Sequence, residues 1–448
     1  MKDLTQGNIY KTYLLFAIPL VLAGLFTQAY GIVDTVIAGR FLGETGLAAL
    51  GATSDLIELT TSTSWGIVVG LGMYTASLFG AKQYRDLKNN LYATFFAVFG
   101  IMLALSLALF FFREPIYDLL RIKDAIRSEA DAYFSVYILG FSLIVLNDFG
   151  LCTLNALGVS GYPFKMSLLS MALNIVGDIL TVSVLDLGVL GLAIASILSA
   201  LVVDIFYFFK IRKCLAEMQV LKDTPFTLSA HHLKKSALYS LPTGTQQLVM
   251  YAAAVLVLPL INGVGPAASA AYVVIMKIYT IVASVYQNSS KTVSNYVAQA
   301  SGAGKFHLHP KGLRVGLIQA LLFTIPFVAL VAIFPRFFAG LFFPQGFEGE
   351  ALEYAVMFAT GCLPFILINI VNNLFHSYFR GIAAARLLLL STAVLSVARL
   401  VLTYLFVGYG MRGVFLGWAG SWAVEAVFCI LLYVFYIRKR YTQKRAVS

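Results

Sequence analysis

Apolar residues fall in twelve long runs, near 12–39, 46–79, 89–112, 132–156, 163–185, 188–210, 235–260, 267–299, 312–338, 352–378, 386–408 and 412–437. An α-helix rises about 1.5 Å per residue, so roughly 20 apolar residues cross a hydrocarbon layer about 30 Å thick. The pattern predicts twelve membrane-spanning helices, with connectors too short to fold as a separate soluble domain. The first run is too long for a removable signal and lacks a small-residue cleavage site.

The runs repeat. Laid against itself at an offset of about 222 residues, the chain matches its own landmarks: Pro19 falls on Pro242, Lys82 on Lys305, Gly188 on Gly410 and Gly191 on Gly413. The longest polar connector, Lys213 to Lys235 with Lys222, Asp223, Thr224 and Pro225 inside it, lies at the midpoint and reads as a linker. The expected domains are an N-terminal lobe at 1–212, a cytoplasmic linker at 213–235 and a C-terminal lobe at 236–448. Six helices per copy is an even number, so both copies enter the membrane in the same direction. Parallel repeats of this kind are related by a pseudo-two-fold axis along the membrane normal. The fold expected is an all-α integral membrane protein of twelve transmembrane helices in two six-helix lobes. Pro19 and Pro242 occupy matched places in the first helix of each lobe. A proline there removes a backbone hydrogen bond and permits a bend, so both are candidate hinges, although prolines are common in membrane helices. Gly70, Gly72 and Gly80 are expected to permit close helix contact.

The charges inside the runs do not repeat. The first half holds Asp34, Asp55, Glu58, Asp148, Asp178 and Asp204 and no base; the second holds Lys277, Lys291 and Arg399, with Glu425 as its acid. An ionisable group in the bilayer core costs at least a few kcal/mol, which makes each one a functional candidate.

Composition narrows the class further. A chain of 448 residues that is 60% hydrophobic and 12% charged is not a soluble globule. Its net charge of +11 would suit nucleic acid, but the bases are placed by topology. Lys2, Lys11, Lys82, Arg85, Lys88, Lys165, the Lys210–Lys235 group, Lys305, Lys311, Arg314, Arg380, Arg386 and the Arg438–Arg445 tail gather on the side of the termini. Excess Lys and Arg marks the cytoplasmic side, so both termini are expected in the cytoplasm of a prokaryotic plasma (inner) membrane, with some affinity for anionic lipid. Cys152, Cys214, Cys362 and Cys429 stand singly, so disulfide and zinc readings are poor. His231, His232, His307 and His309 read as solvated loop residues rather than a metal cluster. No cofactor is expected, and neither HExxH nor DDxxD is present to suggest a membrane enzyme.

Asn174 and Asp178 are four apart on the fifth span and share a face, with Thr181 next along it. At about 1.5 Å per residue, Asp178 and Ser196 lie roughly 12 Å, and Asp34 roughly 9 Å, inside the ends of their spans. Two carboxylates, an amide and a hydroxyl therefore reach about one level in the outer half of the first lobe. Oxygen ligands suit a hard cation, and paired carboxylates can instead share a proton. Asp55 and Lys277 fall at equivalent places in spans 2 and 8. Asp55 or Glu58 paired with Lys277 would form a gate on the outer side, the alternative being partners within each lobe. Arg399 and Glu425 are candidates for an ion pair, Asp204 for snorkelling toward Lys210 and Arg212, and Asp148 has no evident partner.

Ile32-Val33-Asp34-Thr35, the stretch from Gly158 that ends Leu173-Asn174-Ile175-Val176-Gly177-Asp178, and Phe379-Arg380-Gly381 resemble the multidrug and toxic compound extrusion (MATE) family. The resemblance spans the chain and is closer to the DNA-damage-inducible branch. The other branch has acids in spans 7 and 10, where this chain offers Gln246 and Gln247, and Asn369, Asn372 and Asn373. It implies a secondary active exporter, a monomer that exchanges H+ or Na+ for organic and often cationic drugs. It also implies that Asp34 is the main coupling carboxylate, with Asn174, Asp178 and Ser196 completing a site that holds a proton or Na+. A lipid-linked precursor flippase is the alternative; such proteins put basic residues in the cavity, whereas this first lobe holds acids.

Overall fold

The computed structural model describes residues 1–221, 229–343 and 347–437, apart from the side chains of Tyr30, residues 32–36, Ala38, Glu44, Leu47, Tyr436 and Ile437. The apolar runs are helices: α1 (Ile9–Phe41), α2 (Gly43–Gly80), α3 (Tyr84–Phe111), α4 (Asp124–Ala156), α5 (Gly161–Val184), α6 (Gly188–Glu217), α7 (Ala230–Val264), α8 (Pro266–Gly302), α9 (His309–Ile333), α10 (Glu350–Gly381), α11 (Ala385–Tyr409) and α12 (Met411–Phe435). Short helices at Arg113–Leu119 and Pro335–Gly340 follow α3 and α9, in matched places of the two halves. All but α2 are long and apolar enough to cross a membrane by composition. At 38 residues α2 has ample length; its Thr and Ser run at 60–64, beside Asp55 and Glu58, makes it more polar.

The expected all-helical, two-lobe, twelve-helix architecture is what the chain adopts. Contacts divide it into two compact units, one of Met1–Asp3 with Leu22–Gly244, the other of Leu4–Val21 with Thr245–Ser448. In the first, α4 packs along α2, α3 and α6, and α5 lies on α6. In the second, α10 packs along α8, α9 and α12, and α11 lies on α12. The backbone repeats as well. Gly43 and Gly188 adopt φ of 66° and 58°, and their counterparts in the second copy, Gly265 and Gly410, adopt 144° and 66°.

The division does not fall at the linker alone. Each first helix is shared: α1 changes unit after Val21 and α7 after Gly244, in each case just beyond the proline, Pro19 or Pro242. The ends of the polar connector are helical too, since α6 continues through Lys213 to Glu217 and α7 begins at Ala230. Polar side chains at these ends need no hydrocarbon, so the helices extend past their apolar portions. Residues 222–228 and the basic tail from 438 lie outside the described residues.

Large apolar side chains such as Phe111, Phe209, Leu322 and Phe435 are more than 60% exposed, a surface suited to lipid tails rather than water. Inside, small residues set the helix spacing. A Cβ on Gly70 would lie 2.4 Å from Ser240 Cα on the neighbouring α7, and one on Gly72 would lie 3.3 Å from the Cys152 carbonyl of α4. Gly70→Ala should therefore force backbones apart and destabilise by about 1–3 kcal/mol, as overpacking does. Gly161→Ala, which meets nothing within 4 Å, should be neutral. Thermal unfolding of the two purified variants in one detergent checks this; equal melting temperatures would show that the α2–α7 approach is not tight.

Candidate functional site

A close crossing of α5 and α6 builds the first-unit site. A Cβ on Gly177 would stand 2.9 Å from the Ala195 Cβ, and one on Gly191 would stand 2.7 Å from the Thr181 hydroxyl. With no bulk between the helices, the Asn174 side-chain amide donates to the Ser196 hydroxyl at 3.1 Å. Asp178, one turn on, has no exposed surface, and Asn174 is 2% exposed. Directly after Asp178 the helix loosens to π geometry over Ile179–Val184, a distortion that recurs at functional sites. Within it the Thr181 hydroxyl donates back to the Gly177 carbonyl at 2.8 Å.

Asn174 and Ser196 open onto a cavity of about 380 Å³ walled by Tyr133, Tyr137, Asn147 and Asp148 of α4. Tyr133 and Tyr137 stack there at 5.7 Å between ring centroids. The structure thus joins two of the sequence-derived site residues in a hydrogen bond and buries a third on the same helix. Asp34 lies in α1, and its side chain is outside the described residues. Asp148, which the sequence left without a role, is part of the cavity wall, as is Asn147 beside it. Their depth was countable along α4, but the face they occupy depends on how α4 packs on α2 and α6.

Other expectations change. Asp204 does not snorkel: both carboxylate oxygens are buried along an apolar groove between α3, α4 and α6. The electrostatic neighbours are Asn147 and Asp148 rather than Lys210. Glu425 pairs not with Arg399 but with His376 of α10, whose Nε2 lies 2.7 Å from Oε1 with both residues buried. Arg399 instead lies over two rings of α12, with its guanidinium carbon 5.3 Å from the Trp418 centroid and 5.8 Å from that of Trp422. His376 did not stand out in the sequence, because it sits near a helix end where polar residues are ordinary. Nor are the loop histidines all solvated: His309 is fully buried, 3.3 Å from the Ser301 hydroxyl, and His232 is 7% exposed beside Asp86. Among the described residues no group of three metal-ligating side chains forms.

The Asn369 amide donates to the Tyr286 hydroxyl at 3.0 Å and the Asn372 amide to the Trp422 carbonyl at 3.0 Å, so both are tied into the second unit. Asp55 and Glu58 are exposed on α2, and Lys277 is exposed on α8.

Two six-helix repeats with acids buried in their spans have the build of a membrane transporter. The family model MatE matches residues 19–180 and 242–405, once in each repeat. The chain belongs to the MATE family. It is similar to the probable multidrug resistance protein YpnP of Bacillus subtilis strain 168, with 24% identity over 446 residues and 96% of each chain covered. It is also similar to the FAD transporter of Shewanella oneidensis, with 23% identity over 420 residues covering 90% of this chain and 89% of that one. Among solved structures, the outward-facing conformation of a multidrug resistance MATE transporter superposes with a TM-score of 0.85 at 22% identity, covering 96% of this chain and 97% of that one.

Removing one member of a buried pair leaves the other uncompensated, at a cost of about 3–5 kcal/mol. His376→Ala should therefore unfold well below wild type, whereas His376→Ala with Glu425→Gln should regain more than half of the loss. Thermal melts of the four-member cycle in detergent measure the coupling; strictly additive losses would mean the pair contributes nothing.

Proposed function

We propose that this chain is a secondary active multidrug exporter of a prokaryotic plasma membrane, exchanging H+ or Na+ for organic, often cationic, small molecules by alternating access of its two lobes. The observation that carries the reading is the buried first-unit site, in which Asn174 and Ser196 are joined beside the enclosed carboxylate of Asp178. Its physics is competition. A carboxylate held away from water is costly as a bare anion, so it recruits a proton, a hard cation or a cationic cargo. If these exclude one another at Asp34 and Asp178, the driving ion enters as the cargo leaves. Amide and hydroxyl oxygens at Asn174 and Ser196 then supply further ligands for Na+, while a shared proton needs the carboxylates alone.

The reading includes lobes at 1–212 and 236–448 joined by the 213–235 linker, both termini cytoplasmic, and a monomer as the working unit. It places the chain in the DNA-damage-inducible branch, because span 7 carries Gln246 and Gln247 and span 10 carries Asn369, Asn372 and Asn373 in place of acids. The names of the relatives support small-molecule cargo. The Shewanella relative's cargo, FAD, is an anion, so the chemistry handled by such proteins is not confined to cations. Pro19 and Pro242 serve as hinges in this scheme, and their place just before each first helix changes unit supports it. Lys277 pairs with Asp55 or Glu58 when the outer side closes, biasing the equilibrium by the pair's differential stability between states, about 1–2 kcal/mol in a partly hydrated cleft.

Efflux of a cationic dye from proteoliposomes with imposed pH or sodium gradients tests the coupling. Asp34→Asn should abolish gradient-driven efflux while the protein still inserts and melts as wild type, and Asp178→Ala should reduce efflux more than dye binding at equilibrium. Wild-type efflux from Asp34→Asn vesicles would sink the assignment. The gate has its own test. Asp55→Lys should favour the outward-open state, and adding Lys277→Asp should restore the balance, read by cysteine accessibility. Additive single effects would place these charges with partners in their own lobes.

A further inference from the structure

The second unit holds the counterpart of the first-unit site with its polarity inverted. The two copies of the fifth and sixth helices cross through equivalent contacts. Gly191 faces Thr181 in one copy and Gly413 faces Phe406 in the other, which sets α6 on α12 by the glycines and α5 on α11 by the residues they face. In that register Asn174 corresponds to Arg399, Asp178 to Thr403 and Ser196 to Trp418. Setting Pro19 on Pro242 puts Val257 in the place of Asp34. An amide donating to a hydroxyl beside a buried acid has become a guanidinium lying on an indole, and uncharged residues stand at the sequence positions that match Asp34 and Asp178.

That cluster is rich in donors and poor in acceptors. Trp418 is 4% exposed and Trp422 is fully buried, yet neither indole N–H has an acceptor among the described residues, and neither does Arg399 Nε. Among those residues no carboxylate stands within ion-pair distance of Arg399, because Glu425 is taken by His376. A buried donor without an acceptor costs about 1–3 kcal/mol, and a cation inside a membrane protein costs more. The surroundings are aromatic: Tyr279 stacks on Trp422 at 6.2 Å and 9°, and Tyr272 meets Trp418 edge-on at 6.1 Å. Stacking over the rings compensates part of the charge of Arg399 but supplies no acceptor to its N–H groups.

We propose that Arg399, Trp418 and Trp422 form an anion-binding site in the second unit, taking the carboxylate or phosphate of an aromatic substrate. The anionic oxygens would accept from the guanidinium fork and the indole N–H groups, and the ring system would rest among Tyr272, Tyr279 and the indoles. Charge-assisted, fork-shaped recognition of this kind is what Arg supplies and Lys does not. The proposal extends the export reading to cargo with an anionic end. Because it concerns binding alone, it can be tested without any gradient.

Two of the three tryptophans, Trp418 and Trp422, lie in the site, and replacing Trp65 with Phe leaves a fluorescence reporter confined to it. In detergent, 1-naphthoate should quench that Trp65→Phe protein saturably, whereas 1-naphthamide, the same ring system without the charge, should bind at least about tenfold more weakly. Arg399→Gln should weaken naphthoate by about tenfold or more and leave naphthamide unchanged, with Arg399→Lys intermediate. Trp418→Phe, which keeps a ring but removes its N–H, should weaken naphthoate several-fold, on the scale of one hydrogen bond. Equilibrium dialysis of radiolabelled naphthoate repeats the comparison without relying on fluorescence, and thermal melts establish that each variant is folded. Equal affinity for the two probes, or unchanged naphthoate binding by folded Arg399→Gln, would overturn the proposal and leave Arg399 a packing residue. Displacement of naphthoate by solubilised phosphatidylglycerol but not by excess 2-naphthoate would assign the anion site to lipid headgroups and overturn the substrate assignment. Loss of gradient-driven dye efflux with naphthoate binding intact would count against the export reading and leave this site standing.

Discussion

The cost of a polar or charged group in hydrocarbon governs this molecule more than any single contact. Each backbone N–H and C=O in the spans must be satisfied within its own segment, which leaves helices as the natural solution for a chain this apolar. The same cost applies to side chains, and the structure answers it case by case. The Thr181 hydroxyl returns its proton to the carbonyl four residues back, Asn372 finds the Trp422 carbonyl, and Glu425 finds His376. Groups with a local partner hold the helices in place. Arg399, beside which no carboxylate stands among the described residues, is in a position suited to an anionic solute.

Close packing makes such sites possible. Apolar side chains gain little from meeting one another when lipid is equally apolar, so membrane helices associate through tight van der Waals fit and interhelical hydrogen bonds. Gly177, Gly191 and Gly417 bring the fifth and sixth helices of each copy together, and the polar residues one turn away reach across the crossing. A side chain at any of these glycines would separate Asn174 from Ser196 or Thr403 from its neighbours. The glycines and the polar groups are thus one device: the first sets the distance that the second requires.

Much of this is legible in the sequence. Span lengths, the duplication and the meeting of Asn174 with Ser196 follow from helix rise and periodicity, because two residues at one depth on sequential antiparallel helices have few other places to be. The rest turns on which neighbour each face meets, and depth does not reveal that. Asp204 was expected to reach toward bases near the membrane edge, but α3 and α4 close over it. Arg399 and Glu425 look complementary by charge, yet their estimated depths differ by about 10 Å at 1.5 Å per residue. His376 meets the acid, and the rings of α12 take the guanidinium. His309 read as a loop residue, but it begins α9 and is covered by packing against Phe306 and Tyr378. In each case a tertiary contact overrode a reading made one helix at a time.

Duplication explains how one framework can hold two kinds of charge. The backbone of each copy is fixed by glycines, prolines and crossing contacts that recur in nearly the same register, and these tolerate little change. The side chains facing the crossing are under no such constraint. Each copy can therefore exchange an amide for a guanidinium or a carboxylate for a hydroxyl without disturbing its helices. The acids collect in one copy and the bases in the other. If the charges of either copy served only to bind the helices together, compensation would be expected within each copy. Within the second copy Glu425 is answered by His376, while Arg399 lies on indole rings with no carboxylate beside it among the described residues. A charge kept at that cost, at the place that corresponds to the acidic site of the other copy, is better explained by something the protein binds than by anything that holds it together.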